Sequence, residues 1–158
     1  MRGLVVTVIL LVVGVSLIAL ALGGVSEDEG GEKETEPGGD VMILKADGRT
    51  LPVEWEDNAS VKALSKLAEG TLEIHAERYG GFEQVGDIGS AIPSSDRTLT
   101  SSPGDVFLYS GDKIVVFFGS NTYSYTKLGS IVGLGQDELR GILDKDGVVF
   151  TLTAVPGE

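Results

Sequence analysis

"GDVFLYSGDKIVVFFG", residues 104–119, settles the fold class. Two short runs rich in Val, Ile, Phe and Tyr flank Ser110-Gly111-Asp112, and small turn residues between such runs predict a β-hairpin. The second arm, Ile114 to Phe118, is apolar on both faces, so it reads as a fully buried strand. The same pattern recurs upstream. "VMILKADGRTLPVEW" (41–55) carries two apolar runs about Asp47-Gly48, a strong hairpin signal.

"DNASVKALSKLAEG" (57–70) breaks the pattern with a helix. Asp57 or Asn58 can cap it; Val61, Leu64, Leu67 and Ala68 fall at helical spacing, and Gly70 stands at the C′ position. "TLEIHAERY" (71–79) returns to period two, with Leu72, Ile74 and Ala76 opposite Glu73, His75 and Glu77. "AERYGGFEQVGDIGSAIPSSD" (76–96) reads as a corner and a rim loop, because its glycines permit backbone angles closed to other residues. Farther on, "YSYTKLGSIVG" is a strand broken by Gly129, "GQDELRGIL" a short helix, and "VVFTLTAV" a last strand. Six to eight short strands with Gly-rich turns and two short helices predict a mainly β domain, a closed barrel or sandwich.

Two segments precede that domain. Residues 4–22 carry no charge, and nineteen residues at about 1.5 Å each cover roughly the hydrocarbon thickness of a bilayer. The length favours a retained membrane anchor, while Ala19-Leu20-Ala21 has the small-x-small form that a signal peptidase cuts. Arg2 before the run and seven acids after it place the domain outside the cytoplasmic membrane. Residues 26–40 hold those seven acids against Lys33, with four glycines and Pro37, the composition of an extended tether. The division is therefore 1–25 signal anchor or signal peptide, 26–40 tether and 41–158 domain.

The domain's 10 basic and 17 acidic residues argue against nucleic acid, whose phosphates are bound chiefly by Lys and Arg. With one histidine and no cysteine, a Ser-His-Asp or Cys-His site is hard to build. Glu73, His75 and Glu77 stand about 6.6 Å apart along a strand, too far to share one metal ion, so a solvated charged face is expected. Asp144-Lys145-Asp146-Gly147 has its glycine two positions too early for a calcium loop and reads as a turn. Ser124 and Lys127 point to opposite faces of a strand, which rules out Ser-x-x-Lys chemistry. No metal and no cofactor is expected.

Several pieces, in order and spacing, resemble the small cyclophilin-like domain family of bacteria and archaea. They are the first hairpin, the "EDNASVKAL" helix opening, the turn "YGGFE", Gly104-Asp105 before "VFLYS", the paired aromatics of "VVFFG", and "YTKLGSI". The resemblance spans Val41 to Val155 and implies a small eight-stranded barrel capped by helices. It does not imply catalysis. A true cyclophilin isomerises X-Pro bonds with an arginine two residues after a phenylalanine, followed by Gln-Gly-Gly-Asp. Here Arg78 precedes its aromatic residue, and Gln84-Val85-Gly86-Asp87 only echoes the run. Arg78 is the catalytic residue only if isomerase activity exists; otherwise it pairs with Glu77 or Glu83. Of the aromatic set Tyr79, Phe82, Phe107, Tyr109, Phe117, Phe118, Tyr123 and Tyr125, about half belong in the core by period-two alternation. The tyrosines suit a pocket edge. The expected site is a shallow groove for a peptide or small molecule, made by Tyr79, Phe82, Tyr109 and Tyr123 with Arg78, Glu83 and Lys127 at its rim.

Overall fold

In the computed structural model of the chain, residues 40–157 are described. The expected anchor at 4–22 and all but the last residue of the tether lie outside them. Among the described residues no helix is long and apolar enough to cross a membrane.

Ten strands and two helices follow in order: β1 (Val41–Ala46), β2 (Arg49–Leu51), β3 (Val53–Trp55), α1 (Ala59–Leu67), β4 (Leu72–Tyr79), β5 (Glu83–Asp87), β6 (Arg97–Thr100), β7 (Asp105–Tyr109), β8 (Lys113–Phe117), β9 (Thr122–Ile131), α2 (Gln136–Leu143) and β10 (Gly147–Val155). The sheet runs β2-β1-β10-β4-β5-β8-β7-β9-β3, every pair antiparallel, with β6 attached to β9. Its two end strands, β2 and β3, are separated only by Pro52, so the path returns to its start. The result is a nearly closed barrel, mainly β, with two short helices. Counting β2 and β3 as one bent strand leaves eight staves and the β6 ribbon.

Local chemistry explains the elements. Asp47 (φ 47°) and Gly48 (φ 84°) both take positive φ in the β1–β2 turn, as two-residue hairpin loops with right-handed strand twist require. The Asp47 carboxylate accepts from Val149 N–H at 2.9 Å and Lys145 Nζ at 2.6 Å. The lysine's hydrogen bond, then that of the backbone, holds Asp47 below the usual carboxylate range. Asn58 caps α1, its Oδ1 accepting from Val61 N–H at 2.9 Å. Gly70 (φ 83°) ends the turn one residue later than the spacing suggests.

Alternation splits the wall into two apolar layers. Val106, Leu108, Ile114, Val116, Leu128, Phe150 and Leu152 face the interior, joined there by Leu64 of α1 and Leu139, Ile142 and Leu143 of α2. Phe107, Val115, Phe117 and Tyr125 form a second buried cluster on the other face. The strand that reads as apolar on both faces thus has cover on both.

Two expectations are corrected, at residues 76–96 and at Gly129. Residues 76–96 are not all corner and loop: Glu83–Asp87 is a central strand between β4 and β8. Polar Glu83 and Gln84 masked it, although both are buried. The segment between β5 and β6 is also pinned, by Ile88 N–H to Asp112 O at 3.0 Å, Ile92 N–H to Gly111 O at 2.9 Å and Ser95 N–H to Thr126 Oγ1 at 2.8 Å. Finally, Gly129 does not break β9, which runs on to Ile131. A Cβ at Gly129 would lie 2.6 Å from the Glu54 carbonyl oxygen, so glycine there lets β3 approach β9.

Closure rests on few atoms. Pro52 O accepts from Val132 N–H at 2.8 Å, and the Trp55 indole N–H donates to Met42 O of β1 at 2.8 Å. Trp55→Phe should therefore lower unfolding free energy by about 1–2 kcal/mol, through the orphaned carbonyl. Gly129→Ala should cost more, about 2–3 kcal/mol, since strand backbone must shift. Gly141→Ala on α2, where the added Cβ meets nothing within 4 Å, should instead be stabilising by up to about 1 kcal/mol. Urea denaturation of the three variants checks the ranking.

Candidate functional site

The second apolar layer is built by β5, β6, β7, β8 and β9 with Phe82 of the β4–β5 turn. Phe107 stands 5.1 Å from Phe117 and 5.3 Å from Tyr125 between ring centroids. Phe117 and Tyr125 lie 5.6 Å apart although β7 separates their strands, a gap of about 10 Å in a flat sheet. A register shift opposite Val106 and Phe107 bends β9 here, as a bulge does, and brings Tyr125 over the floor. Tyr109 and Tyr123 extend the ring chain, at 6.1 Å each from Tyr125 and 5.9 Å from each other. At the opposite margin Phe82 packs on the cluster, and Tyr79 meets Phe82 edge-on at 6.1 Å. Tyr79 and Tyr123 remain 66% and 56% exposed.

The turn between β4 and β5 sets that margin. Gly80 takes φ 59°, and a Cβ there would strike the Phe82 ring at 2.4 Å. A Cβ at Gly119 would meet Phe82 Cβ at 2.8 Å. Glycines on both sides therefore give the phenyl ring its seat. Phe82 O also accepts from Phe118 and Gly119 N–H, at 2.9 and 3.0 Å, tying the turn to the end of β8.

Glu83 lies in this layer, opposite Tyr79 across β4 and opposite Phe117 across β8. It is only 5% exposed, and its Oε2 is fully covered and without a hydrogen-bond partner among the described residues. Burial pushes its carboxyl up from an ordinary 4.5 to about 7. Tyr125 is raised too, first by its own burial and further by the charge of Glu83, against a lowering hydrogen bond from Asn121 Nδ2 at 2.9 Å.

Of the residues expected at the site, Tyr79, Phe82, Glu83, Tyr109 and Tyr123 share this face. Arg78 and Lys127 stand at its margins, each neutralised. Arg78 does not pair with Glu77 or Glu83: its guanidinium donates to Asp144 Oδ1 at 2.9 Å and Asp146 Oδ1 at 3.0 Å, at the end of α2. It lines a shallow cavity of about 330 Å³ with His75, Glu77, Tyr79, Val85, Asp87 and Lys113. Lys127 meets Glu56 at 3.5 Å and lines a separate polar cavity of about 270 Å³ with Asn58, Ser95, Arg97 and Thr126. Val85 and Leu99 pack on the aromatic layer and Asn121 bonds the Tyr125 hydroxyl, and no local pattern in the sequence marks any of the three. His75 contacts Glu73 at 2.8 Å on the exposed face of β4. Among the described residues no three His, Asp or Glu side chains are gathered for a metal.

The class the fold defines is a small, nearly closed, mainly β barrel with two short helices. A cyclophilin-like family model matches residues 44–153, and the chain belongs to that family. Its fold is similar to the solution structure of a hypothetical protein from Archaeoglobus fulgidus, with a TM-score of 0.57 and 19% identity over 77% of this chain and 99% of that one. No curated protein sequence matches the chain.

Glu83 makes stability pH-dependent. The fold favours the neutral acid, so the native state binds the proton more tightly than the unfolded chain does. That contribution is fully present below about 4.5 and is lost as pH rises through about 7. The loss is on the order of 3 kcal/mol at most. Thermal melts of the wild type should fall between pH 5 and pH 8 by more than those of Glu83→Gln, and equal slopes would refute the assignment.

Proposed function

We propose that the domain is a non-catalytic binding module whose aromatic face takes a peptide segment or a small organic ligand. The observation that carries this reading is the pair of exposed tyrosines, Tyr79 and Tyr123, at the margins of a buried aromatic floor. Exposed aromatic rings on rigid strands bury large areas at low entropic cost, which is why they recur in binding surfaces. Isomerase action would need a donor positioned for the twisting amide. Arg78, the candidate donor, is engaged by two carboxylates at the strand's end.

The same reading places the domain outside the cytoplasmic membrane, held by residues 4–22 on an acidic spacer. What supports it is the uncharged run of nineteen residues, the arginine before it and the acids after it. Intact chain should then sediment with membranes and be cut by protease added from the outer side. Recovery from the cytosolic fraction would overturn that placement.

Binding is tested by two-dimensional NMR with blocked peptides of differing side chains, with Tyr79→Ala and Tyr123→Ala as controls. Shifts at Tyr79, Phe82, Tyr109 and Tyr123 are expected, weakened about threefold to tenfold by either variant. In a protease-coupled assay on an X-Pro peptide no acceleration is expected. Acceleration that vanishes in Arg78→Ala would replace the binding module with an isomerase.

A further inference from the structure

The aromatic face holds a buried carboxylate that the fold leaves without a counter-charge. Glu83 is more than nine-tenths buried, and among the described residues no hydrogen bond or ion pair reaches its Oε2. Three cations bordering the wall are engaged, Arg78 with Asp144 and Asp146, Lys113 with Asp112 at 2.8 Å, and Lys127 with Glu56, while Arg97, opposite Tyr125, makes no ion pair among the described residues, with Glu83 or any other acid. A buried carboxyl in such a place costs stability, and a charge from outside would offset that cost.

We propose that the group recognised on this face is an organic cation, an ammonium or guanidinium on an aliphatic stem, held by the Glu83 carboxylate. This rests on the reading of the aromatic face as a binding surface and names the chemistry of its ligand. Three features favour a cation over a neutral or anionic group. The carboxylate is acceptor-only when ionised, so it rejects anions and favours a charged donor. Tyr79 and Phe117 stand opposite it on the neighbouring strands and Phe82 precedes it in the chain, aromatic rings of the kind that attract cations. The domain carries seventeen acids against ten bases, a field that draws cations toward it. A lysine or arginine side chain presented by a peptide has the required form, its methylene stem lying against the rings and its head at Glu83.

The test uses the intact chain in phospholipid nanodiscs at pH 8, where Glu83 is ionised. Blocked alanyl-lysyl-alanine amide is titrated beside its norleucine isostere, with ring and carboxyl resonances followed by NMR. The lysine peptide should bind about tenfold more tightly than the isostere, the advantage of a charge-assisted hydrogen bond to a buried acceptor. Glu83→Gln should erase the advantage, while Tyr79→Ala, changed at an exposed position, should weaken both peptides and guard against a folding defect in the first variant. Equal binding of both peptides, or a lysine preference that survives in Glu83→Gln, overturns the cation assignment yet leaves the binding surface standing. A neutral prolyl peptide that shifts the rings when the lysine peptide does not likewise overturns the cation assignment alone. Failure of every probe to shift the rings overturns the binding surface as well.

Discussion

The barrel depends on one seam. A sheet must end somewhere, and exposed ends carry unpaired backbone groups that invite pairing with other chains. Here the two ends are the same stretch of chain, folded at Pro52. Leu51 and its neighbours pair with β1, whereas Val53 to Trp55 pair with β9. Proline suits the joint because it has no N–H to leave unmatched. The remaining gap between β3 and β1 is bridged by a side chain, the indole N–H of Trp55 reaching Met42 O. The chain's one tryptophan thus performs a backbone's task.

The seam also shapes the outer wall. Reaching β3 obliges β9 to pass close to the Glu54 carbonyl, which Gly129 allows. One strand spacing away, the register shift against β7 bends β9. That bend leans Tyr125 over Phe107 and Phe117, so a wall that could have been an ordinary solvated surface becomes a second apolar layer. Polar groups on the strands between the layers then meet different fates. Glu83 and Gln84 are adjacent in sequence and both buried, but they face different layers. Gln84 points inward and donates to Leu143 O and Lys145 O, both at 2.7 Å, holding the end of α2 to the sheet. Glu83 points outward into the aromatic layer, where its Oε2 finds no hydrogen-bond partner among the described residues. The same strand therefore commits one polar residue to architecture and leaves the other unpartnered.

Much of the architecture was legible in the sequence. Asp47-Gly48 and Ser110-Gly111 announced hairpins because their turns need positive φ, and Asn58 announced α1 because few residues cap a helix so well. β8 was legible because only a strand covered on both faces tolerates Ile-Val-Val-Phe without a polar residue. β5 was not, since Glu-Gln-Val-Gly-Asp alternates in neither hydropathy nor size, and its burial comes from neighbours distant in sequence. Arg78 was misjudged for a related reason. Local acids at positions 77 and 83 looked like partners, but the register of β4 against β10 brings Asp144 and Asp146 nearer. The tyrosines were found by residue type alone; their arrangement comes from the bend in β9, which no local pattern announces.

The chemistry open to a surface is set by the kind of groups it leaves free. Rotation about an amide is assisted by donors aimed at the atoms where charge and lone-pair density shift. Three donors around this face are committed elsewhere: Asn121 to the Tyr125 hydroxyl, Arg78 to two aspartates, Lys127 to Glu56. Left uncommitted are electron-rich rings, the hydroxyls of exposed Tyr79 and Tyr123, and a carboxyl oxygen of Glu83 with no partner among the described residues. An ionised carboxylate is acceptor-only, so what it could complement is a donor. Closing the barrel and forming its ion pairs leaves Glu83 Oε2 without a hydrogen-bond partner among the described residues.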